Sequence, residues 1–572
     1  MTAWWSFGRI GRAAFALLLA WLLAVVFASN ASAQASKTTP LVRFPFPQED
    51  GSLTPYTFEI GYPLVTLIYD TVMWRDSRGV PRPWLARSVE TDRGGRRVTI
   101  RLRRGVRWHD GVPLTAADVS FSLNFMVRRP HPRFTPQLRD IQEVRAPDDE
   151  TVTVTLRRPS IGFLDQPLSD VPILPRHLWQ GLGPGQLAPA GLPVGSGPYR
   201  LVDHRPGASY RFQANMDYFR GRPRVRTLNV PIIADANKTI RALERRRVDM
   251  IPVGLTEDDG DRLESLFGVR VVKGESYLGT ALMLNVRRPP FDRPDVRRAV
   301  ATALDLVRLS RAAGQAKPAE RGFLHPASRW ASGTLLQGTN EDAARVTLGD
   351  PRLPTIEVLA PDNDPVRREA GRQVVIALER AGARAKLREL SADALFRAIG
   401  GDGASPTYTA AIAGVPPLAS HDPNFLRTLF GSDPRTARLN YTGYRSRTFD
   451  RLAERVAAAP SPARRQEAVD QELRLLGRDL PSVPLFFTDG AFAYRPAIYD
   501  GWVFVKGTGI LDKRSFLPGE RAAAGPEAAG DPIDSSGDSG TGALGPLGWV
   551  GVALLAAAIS AGAWALLSPR RP

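Results

Sequence analysis

The side chains that most often carry catalytic or metal chemistry are scarce in this chain. Its 572 residues include six histidines and no cysteine, so disulfides, thiolate metal sites and cysteine nucleophiles are excluded. No two histidines stand four residues apart, the spacing at which one helix face offers two imidazole ligands. We therefore predict no metal site, no cofactor and no catalytic residue, and we expect that the protein is not an enzyme.

Two glycine patterns that often mark enzymes are also missing. Gly195-Ser196-Gly197 departs from the Gly-x-Ser-x-Gly nucleophile elbow, because Pro198 follows the second glycine. We interpret it as a turn that leads into a strand at residues 198–202. The phosphate-binding run Gly-x-x-x-x-Gly-Lys does not occur.

Most of the histidines have contexts that favour a structural role. His109 lies in a turn, His109-Asp110-Gly111, and four others lie beside or within two residues of a proline. We interpret these four as surface or packing residues: His131, His177, His204 and His325.

The net charge of +18 is compatible with nucleic acid, an anionic membrane or an anionic ligand. Only seven of the 76 basic residues are lysines, and the arginines are scattered through every segment. A nucleic-acid-binding protein would gather them into a basic patch with aromatic residues between them. We predict no binding to nucleic acid.

Both ends of the chain are apolar. Arg9 and Arg12 precede an apolar stretch at 13–28 and the small residues Ala31-Ser32-Ala33, the order of a secretory signal cleaved before Gln34. An uncleaved signal anchor is the alternative.

At the other end, residues 544–567 carry no charge over 24 positions, enough to cross a bilayer as a helix. Arg570 and Arg571 follow directly and place the C-terminus in the cytoplasm. We therefore expect a single-pass protein whose body lies on the periplasmic face of the inner membrane. A buried core helix is the alternative at this end.

Hydrophobic spacing predicts strands in the first half and mixed elements in the second. Val98, Ile100 and Leu102 alternate with polar residues, and Thr115 with Asp118 has the spacing of a helix capping box. In the second half, Asp292 and Pro294 predict the start of a helix that Gly314 ends. Segments 355–359, 365–381, 385–390 and 408–415 read as strand, helix, strand and strand, which predicts a parallel sheet buried between helices.

These elements carry a resemblance to a known family. The segment 102–119, with Trp108-His109-Asp110-Gly111 at its centre, resembles the family 5 extracellular solute-binding proteins of bacterial ABC importers, the dipeptide, oligopeptide and nickel class. The resemblance continues through three further groups of motifs: 195–199, 242–249 and 285–305, the last including Pro289-Pro290-Phe291. The family's closing segment is similar to 449–452 and 480–485.

The resemblance implies a two-lobed α/β fold of the periplasmic-binding-protein type. The lobes are discontinuous in sequence, an extra strand-rich subdomain lies near the N-terminus, and a C-terminal transmembrane helix follows the body. The expected boundaries are a signal peptide 1–33, lobe I 34–284, lobe II 285–490, a return to lobe I 491–518, a disordered linker 519–543, a transmembrane helix 544–567 and a cytoplasmic tail 568–572.

Several residues are ligand-binding candidates because the family encloses its ligand between the lobes. His421 and Asp422, followed by Pro423, stand where the family places pocket residues after a strand. Aromatic and polar residues near the N-terminal strand and the first crossing complete the set: Tyr56, Phe58, Tyr62, Tyr277 and Asn285. Crossing strands near 278–284 and 486–494 are the expected hinges.

The resemblance implies capture of a peptide-like or other polar solute and its delivery to a permease and an ATPase. Peptide binders of the family carry an aspartate for the ligand's ammonium group where this chain has Ala419, and a tryptophan where it has Pro416. We therefore expect weak binding of dipeptides and of free nickel. A membrane-tethered sensor or scaffold that does not feed a permease is the alternative function.

Overall fold

The computed structural model describes residues 39–519 apart from 59–60, 78, 132, 161, 184, 253–254, 256, 315, 334–337, 363, 402–404, 417–421, 435 and 507–508. The predicted signal peptide, transmembrane helix and cytoplasmic tail lie outside these residues, as does the predicted linker beyond Gly519. Within the described part, no helix combines the length and the apolar character needed to span a membrane.

The first half of the chain is built mainly from three sheets. A four-stranded sheet has the order β1-β10-β9-β8, a second has the order β4-β5-β7-β6, and β2 pairs with β3. The strands are β1 (Thr39–Arg43), β2 (Met73–Arg75), β3 (Pro81–Pro83), β4 (Ala86–Thr91), β5 (Arg97–Leu102), β6 (Ile141–Arg145), β7 (Thr151–Leu156), β8 (Tyr199–Arg205), β9 (Ser209–Ala214) and β10 (Val225–Pro231).

Helices connect these strands. They are α1 (Tyr62–Ile68), α2 (Ala116–Arg128), α3 (Thr135–Leu138), α4 (Gly162–Asp165), α5 (Pro167–Asp170), α6 (Arg176–Trp179), α7 (Ala236–Glu244) and α8 (Glu257–Glu264). The predicted capping box starts α2, since the backbone N–H of Thr115 donates to Asp118 at 2.8 Å. The alternation of Val98, Ile100 and Leu102 is confirmed as the buried face of β5.

The second half contains a six-stranded mixed sheet of order β12-β16-β11-β15-β13-β14. Its strands are β11 (Arg270–Leu284), β12 (Lys317–Pro318), β13 (Ile356–Pro361), β14 (Ala385–Leu390), β15 (Ala410–Val415) and β16 (Ser482–Tyr494). The predicted βαβ unit is confirmed, because β13 pairs in parallel with both β14 and β15. The prediction of a parallel sheet is wrong for the rest, since β11 runs antiparallel to β15 and β16.

Helices cover this sheet, and one prediction about them is wrong. They are α9 (Pro294–Ala303), α10 (Leu306–Ala312), α11 (Glu341–Leu348), α12 (Pro365–Arg380), α13 (Ala392–Ala398), α14 (Leu426–Phe430), α15 (Arg447–Ala457) and α16 (Pro462–Asp479). The single helix predicted between Pro294 and Gly314 is two helices. The side chain of Asp305 accepts a hydrogen bond from the backbone of Arg308 and so starts α10 as a new helix.

The two largest of the hydrophobic clusters lie in different lobes. Residues between Val42 and Val230 form most of the core of the first lobe. Residues between Phe492 and Phe516, near the end of the described chain, also belong to it. The core of the second lobe lies between Leu282 and Phe486. The first lobe is therefore discontinuous in sequence.

The long strands β11 and β16 run from one lobe into the other. They pair antiparallel, and their register shifts between Glu275 and Leu278. Tyr277, inside this shift, has a left-handed backbone with φ of 56°. Val272, before the shift, packs in the first core, whereas Leu282, after it, packs in the second. The irregularity lies where the strands pass between the lobes.

Candidate functional site

The two lobes enclose a cavity of about 500 Å³, within the range of roughly 300 to 1,000 Å³ that small-molecule sites occupy. The first lobe lines it with Phe58, His131, Arg133, Gln137, Arg139, Asp140, Ser160, Gly162, Phe163, Gln166 and Pro167. The second lobe lines it with Pro416, Asn424, Phe425, Arg427, Thr428, Thr436, Arg438, Leu439, Ala453 and Ala457.

The wall formed by the first lobe is organised by a buried carboxylate. Asp170, at the end of α5, accepts hydrogen bonds from Arg133 at 2.6 and 3.0 Å and from Gln137 at 2.8 Å. Burial opposes its ionisation, but the charge and hydrogen bonds of Arg133, with that of Gln137, outweigh burial and hold the pKa of Asp170 below its ordinary value. The positive charge of Arg133 is thereby compensated by this carboxylate, and its side chain is fixed in position.

His131 is a packing residue at the edge of the cavity. Its ring stacks on Phe134 with 4.4 Å between centroids, and its Nδ1 accepts from the backbone N–H of Arg133 at 3.1 Å. Burial lowers the pKa of His131 to about 4. The imidazole is therefore neutral near pH 7.

Part of the wall formed by the second lobe follows Asp422, which itself lies behind the lining. The carboxylate of Asp422 accepts from the backbone N–H of Asn424 at 3.0 Å and caps a 3-10 turn, Pro423–Phe425, which continues into α14. This turn and helix bring Asn424, Arg427 and Thr428 to the cavity.

Four side chains on the cavity walls carry buried polar atoms that have no hydrogen-bond partner within the described residues. They are Gln137 Oε1 and Gln166 Nε2 in the first lobe and Asn424 Oδ1 and Arg427 Nη1 in the second. Leaving such an atom unpaired costs about 1–3 kcal/mol, more when it is charged. Both walls therefore include residues whose hydrogen-bonding capacity is not met within the described part of the chain.

Ion pairs join the lobes beside the cavity. Glu454, on α15, forms ion pairs with Arg427 of its own lobe at 2.6 Å and with Arg139 of the first lobe at 2.9 Å. Arg158 of the first lobe pairs with the same carboxylate. The hydroxyl of Ser160 also donates to the carbonyl of Ala457 at 2.8 Å. These contacts describe a closed arrangement of the lobes.

Behind the second wall lies a buried ionic cluster. Arg465 donates to Asp422 at 2.7 Å, and the guanidinium is fully buried. Glu472 is also buried, and neither of its carboxyl oxygens has a partner among the residues described. Burial raises the pKa of Glu472 well above its ordinary value, with Arg465 opposing the shift.

One of the seven predicted ligand-binding residues lines the cavity. It is Phe58, whose ring also packs 5.6 Å from that of Tyr62. Tyr62 lies behind it and donates to the carbonyl of Asp170 at 2.5 Å, with Arg133 above its ring. Tyr56 donates to the carbonyl of Arg129 at 2.9 Å and borders a separate pocket on the first lobe.

The remaining candidates lie away from the cavity lining or outside the described residues. Tyr277 packs 4.5 Å from the ring of His325. Asn285 is buried and donates to the carbonyl of Tyr408 at 3.0 Å. Asp422 lies behind the cavity and supports its wall through Arg465 and the following turn. His421 lies outside the described residues.

Sequence reasoning overlooked the polar residues that line the cavity. Gln137, Gln166, Asn424, Arg427 and Arg438 were not among the candidates. The candidate Asp422 is not part of the lining, whereas Asn424, two positions further, is. If Asp422 had been recognised as the start of a helix, the residues of the first turn after it would have become ligand-binding candidates.

No group of three or more histidine or acidic side chains is placed to hold a metal ion in the part of the chain that the structure describes.

Comparison with known proteins identifies the fold and the family. The oligopeptide-binding protein AppA of Bacillus subtilis, solved with a nonapeptide, superposes with a TM-score of 0.71 at 19% identity, covering 86% of this chain and 100% of AppA. The ABC transporter substrate-binding protein CtaP of Listeria monocytogenes gives 0.72 at 21% identity, covering 84% and 100%. At these identities the likeness establishes the two-lobed α/β fold of periplasmic binding proteins.

Sequence comparison gives the family. A protein of Brucella ovis described as a peptide-binding protein of an ABC transporter is 30% identical over 277 residues, 47% of this chain and 52% of the relative. The match thus spans about half the length of that relative. The sequence profile of bacterial extracellular solute-binding proteins, family 5 Middle, matches residues 80–437, more than half of the chain. The chain belongs to the family 5 bacterial extracellular solute-binding proteins.

Proposed function

We propose that this protein is the solute-binding component of an ABC importer. It captures a polar solute in the cavity between its lobes and delivers it to a permease, whose ATPase subunits supply the work. Family membership supports a binding role in place of an enzymatic one.

One observation carries the proposal. Buried polar atoms that lack a hydrogen-bond partner among the described residues come from both lobes and belong to residues that line one cavity: Gln137, Gln166, Asn424 and Arg427. A ligand held by both walls favours the closed arrangement over the open one, because it gains hydrogen bonds that only closure provides. Closure in turn gives a permease a signal that the cavity is filled.

The lining favours a solute without a free ammonium group. Asp140 is the only acidic residue among the described residues of the lining, and it already pairs with Arg158 at 2.8 Å. An ammonium group in a closed cleft needs a carboxylate to offset its desolvation. The prediction that dipeptides bind weakly is therefore part of this proposal, as is weak binding of free nickel.

The two ends of the chain extend the proposal to location. The secretory signal would export the body, and residues 544–567 with Arg570 and Arg571 would hold it at the periplasmic face of the inner membrane. A tether of this kind keeps the binding body at high local concentration near its permease.

The proposed lobe boundaries follow the crossing strands. We place the hinge at the register shift between Glu275 and Leu278 and at Thr488, which pairs with Leu278 in β16. The predicted boundaries at 284/285 and 490/491 lie close to these positions.

Closure can be measured with spin labels, because the chain contains no cysteine. Arg101 in the first lobe and Arg298 in the second are exposed and can each be replaced by cysteine for labelling. The doubly labelled full chain is then measured by pulsed electron resonance, with and without the small molecules that co-purify with the unlabelled protein. Co-purifying solute should narrow the distance distribution. An unchanged distribution with bound solute would contradict capture by lobe closure.

A further inference from the structure

We propose that Arg427 and Arg438 form an anion-binding subsite in this cavity, and that the captured solute carries a carboxylate or phosphate group but no ammonium group. This inference rests on the proposed function of the cavity and specifies the chemical class of its ligand.

One half of the Arg427 guanidinium is ion-paired, and the other half lacks a hydrogen bond to the described residues. Its Nη2 forms an ion pair with Glu454 at 2.6 Å. Its Nη1 is buried and has no partner in the described part of the chain, although Arg427 lines the cavity. A buried charged donor that lacks an acceptor is costly, and an anionic oxygen is the acceptor that satisfies it best.

Arg438 supplies a second guanidinium to the same wall. It lines the cavity from the loop before α15 and is exposed. None of the ion pairs between described residues includes it. Arg427 and Arg438 are thus two guanidinium groups that one lobe contributes to the lining of one cavity.

The charges around the cavity leave an excess of positive charge. Among the described residues, five arginines line the cavity or form the ion pairs beside it, namely Arg133, Arg139, Arg158, Arg427 and Arg438, against three carboxylates, those of Asp140, Asp170 and Glu454. The difference is two positive charges in a partly enclosed space of lowered dielectric, where an anion is attracted more strongly than in open water. A cationic or zwitterionic solute would bring its ammonium group against this field.

The opposite wall indicates what the rest of the ligand contains. Gln137 and Gln166 present an amide oxygen and an amide N–H without partners in the described residues. Such groups bind neutral donors and acceptors, as in hydroxyl or amide groups. The structure therefore favours a polar anion whose charged end meets the second lobe and whose neutral polar groups meet the first.

Calorimetry on the purified full chain can test the subsite with matched probes. The panel consists of N-acetyl-Ala-Ala and its C-terminal amide, D-gluconate and D-glucose, D-glucose 6-phosphate, and Ala-Ala. At least one acid should bind, and its uncharged counterpart should bind at least about tenfold more weakly. If only one of D-gluconate and D-glucose 6-phosphate binds, that result would identify whether the subsite accepts a carboxylate or a phosphate.

Substitutions then assign the anion to its residues. R427Q and R438Q should each weaken binding of that acid by about tenfold, whereas R445Q should leave it unchanged. Arg445 is exposed, follows in the same loop and lies outside the lining, so R445Q removes the same charge away from the cavity. Since Arg438 is exposed, R438Q tests the proposal even if R427Q disturbs folding.

Several results would overturn the subsite. They are the absence of binding by every acid, equal binding of an acid and its neutral counterpart, and full binding by R427Q and R438Q. Binding of Ala-Ala or D-glucose that narrows the spin-label distances would overturn the anion subsite and leave solute capture intact. Binding of an acid without any change in those distances would instead count against capture between the lobes.

Discussion

Each lobe contains a buried ion pair, and the two pairs have different surroundings. In the first lobe, Asp70 accepts from Lys513 at 2.8 Å, from Trp84 at 2.8 Å, from Tyr218 at 2.9 Å and from Ser196 at 3.1 Å. Both charged side chains are fully buried. The pair joins the start of the chain to its return segment, because Lys513 follows the last crossing strand.

The pair in the second lobe, Asp422 with Arg465, is surrounded by groups that lack partners. Asp422 Oδ2, Asn424 Oδ1, Arg427 Nη1 and both oxygens of Glu472 have none among the described residues. Three of these five atoms belong to side chains behind the cavity wall, and two belong to the wall itself.

The different surroundings of the two ion pairs indicate different roles, one in stability and one in binding. Around Asp70, every hydrogen bond is made inside the protein, so the cluster stabilises one arrangement of the chain. Around Asp422, hydrogen bonds remain unmet among the described residues, and two residues of this cluster, Asn424 and Arg427, also line the cavity. We infer that the first cluster maintains the fold and the second prepares the site.

The largest expected effect comes from breaking the pair in the first lobe. K513M leaves the Asp70 carboxylate buried without its counter-ion, and removal of one partner of such a pair costs about 3–5 kcal/mol. Urea unfolding followed by circular dichroism should show this loss. K506M is the control, since Lys506 is partly exposed in its pair with Glu275 and its loss should cost at most about 1 kcal/mol. Equal losses in both variants would contradict the comparison.

The second-largest expected effect is a pH dependence of the free energy of unfolding that is caused by Glu472. Because burial raises the pKa of Glu472 above the ordinary 4.5, the folded protein keeps this proton at pH values where the unfolded chain has released it. The proton's contribution to stability is complete below about pH 4.5 and is lost as pH rises toward the folded pKa. Relative to E472Q, which cannot titrate, the wild type should lose up to about 1.4 kcal/mol per pH unit above pH 5.

Urea unfolding of both proteins at several pH values from 4 to 7 measures this difference. E467Q is the matched control, because Glu467 is exposed on the same helix and pairs with Arg464 one turn away. A constant stability difference between wild type and E472Q across this range would contradict this prediction, because it would mean that the pKa of Glu472 is the same in the folded and the unfolded chain.

Local patterns in the sequence were sufficient to predict several elements but not the cavity. The capping box of Thr115 and Asp118 and the βαβ unit after residue 355 depend on neighbours in sequence, and the structure confirms both. The prediction of one long helix after Pro294 was wrong because Asp305, which lies inside an apolar pattern, was not recognised as the N-cap of a second helix. Antiparallel pairing of β11 with β16 joins segments some 200 residues apart, which periodicity cannot indicate.

The site was harder to predict because its residues gain their role from the approach of the two lobes. Gln137 and Arg427 are ordinary polar residues in sequence, and only the fold brings them to one cavity. Aromatic candidates such as Tyr56 and Tyr277 were plausible by type but use their rings for packing. Phe58 was chosen on the same grounds and does line the cavity.

The smallest expected effect lies in the contacts between the lobes, which are neither fully buried like Asp70 nor open like a surface pair. Glu454 is about one-third exposed and meets Arg139, Arg158 and Arg427. Because such pairs contribute about 0.5–1 kcal/mol each and E454Q retains some hydrogen bonding, we expect a net shift of about 1 kcal/mol toward the open arrangement.

That shift corresponds to about a fivefold change in the ratio of open to closed molecules, a change visible in the distance distribution between labels at positions 101 and 298 without any ligand. High salt should reproduce part of the effect in the wild type, because partly exposed pairs are screened. E467Q removes a carboxylate from an ion pair confined to the second lobe, so it should leave the distances unchanged. If E454Q gave the same distance distribution as E467Q and the wild type, the ion pairs around Glu454 would have no part in closure. The lobes would then be held together by the hydrogen bond of Ser160 to Ala457 and by packing.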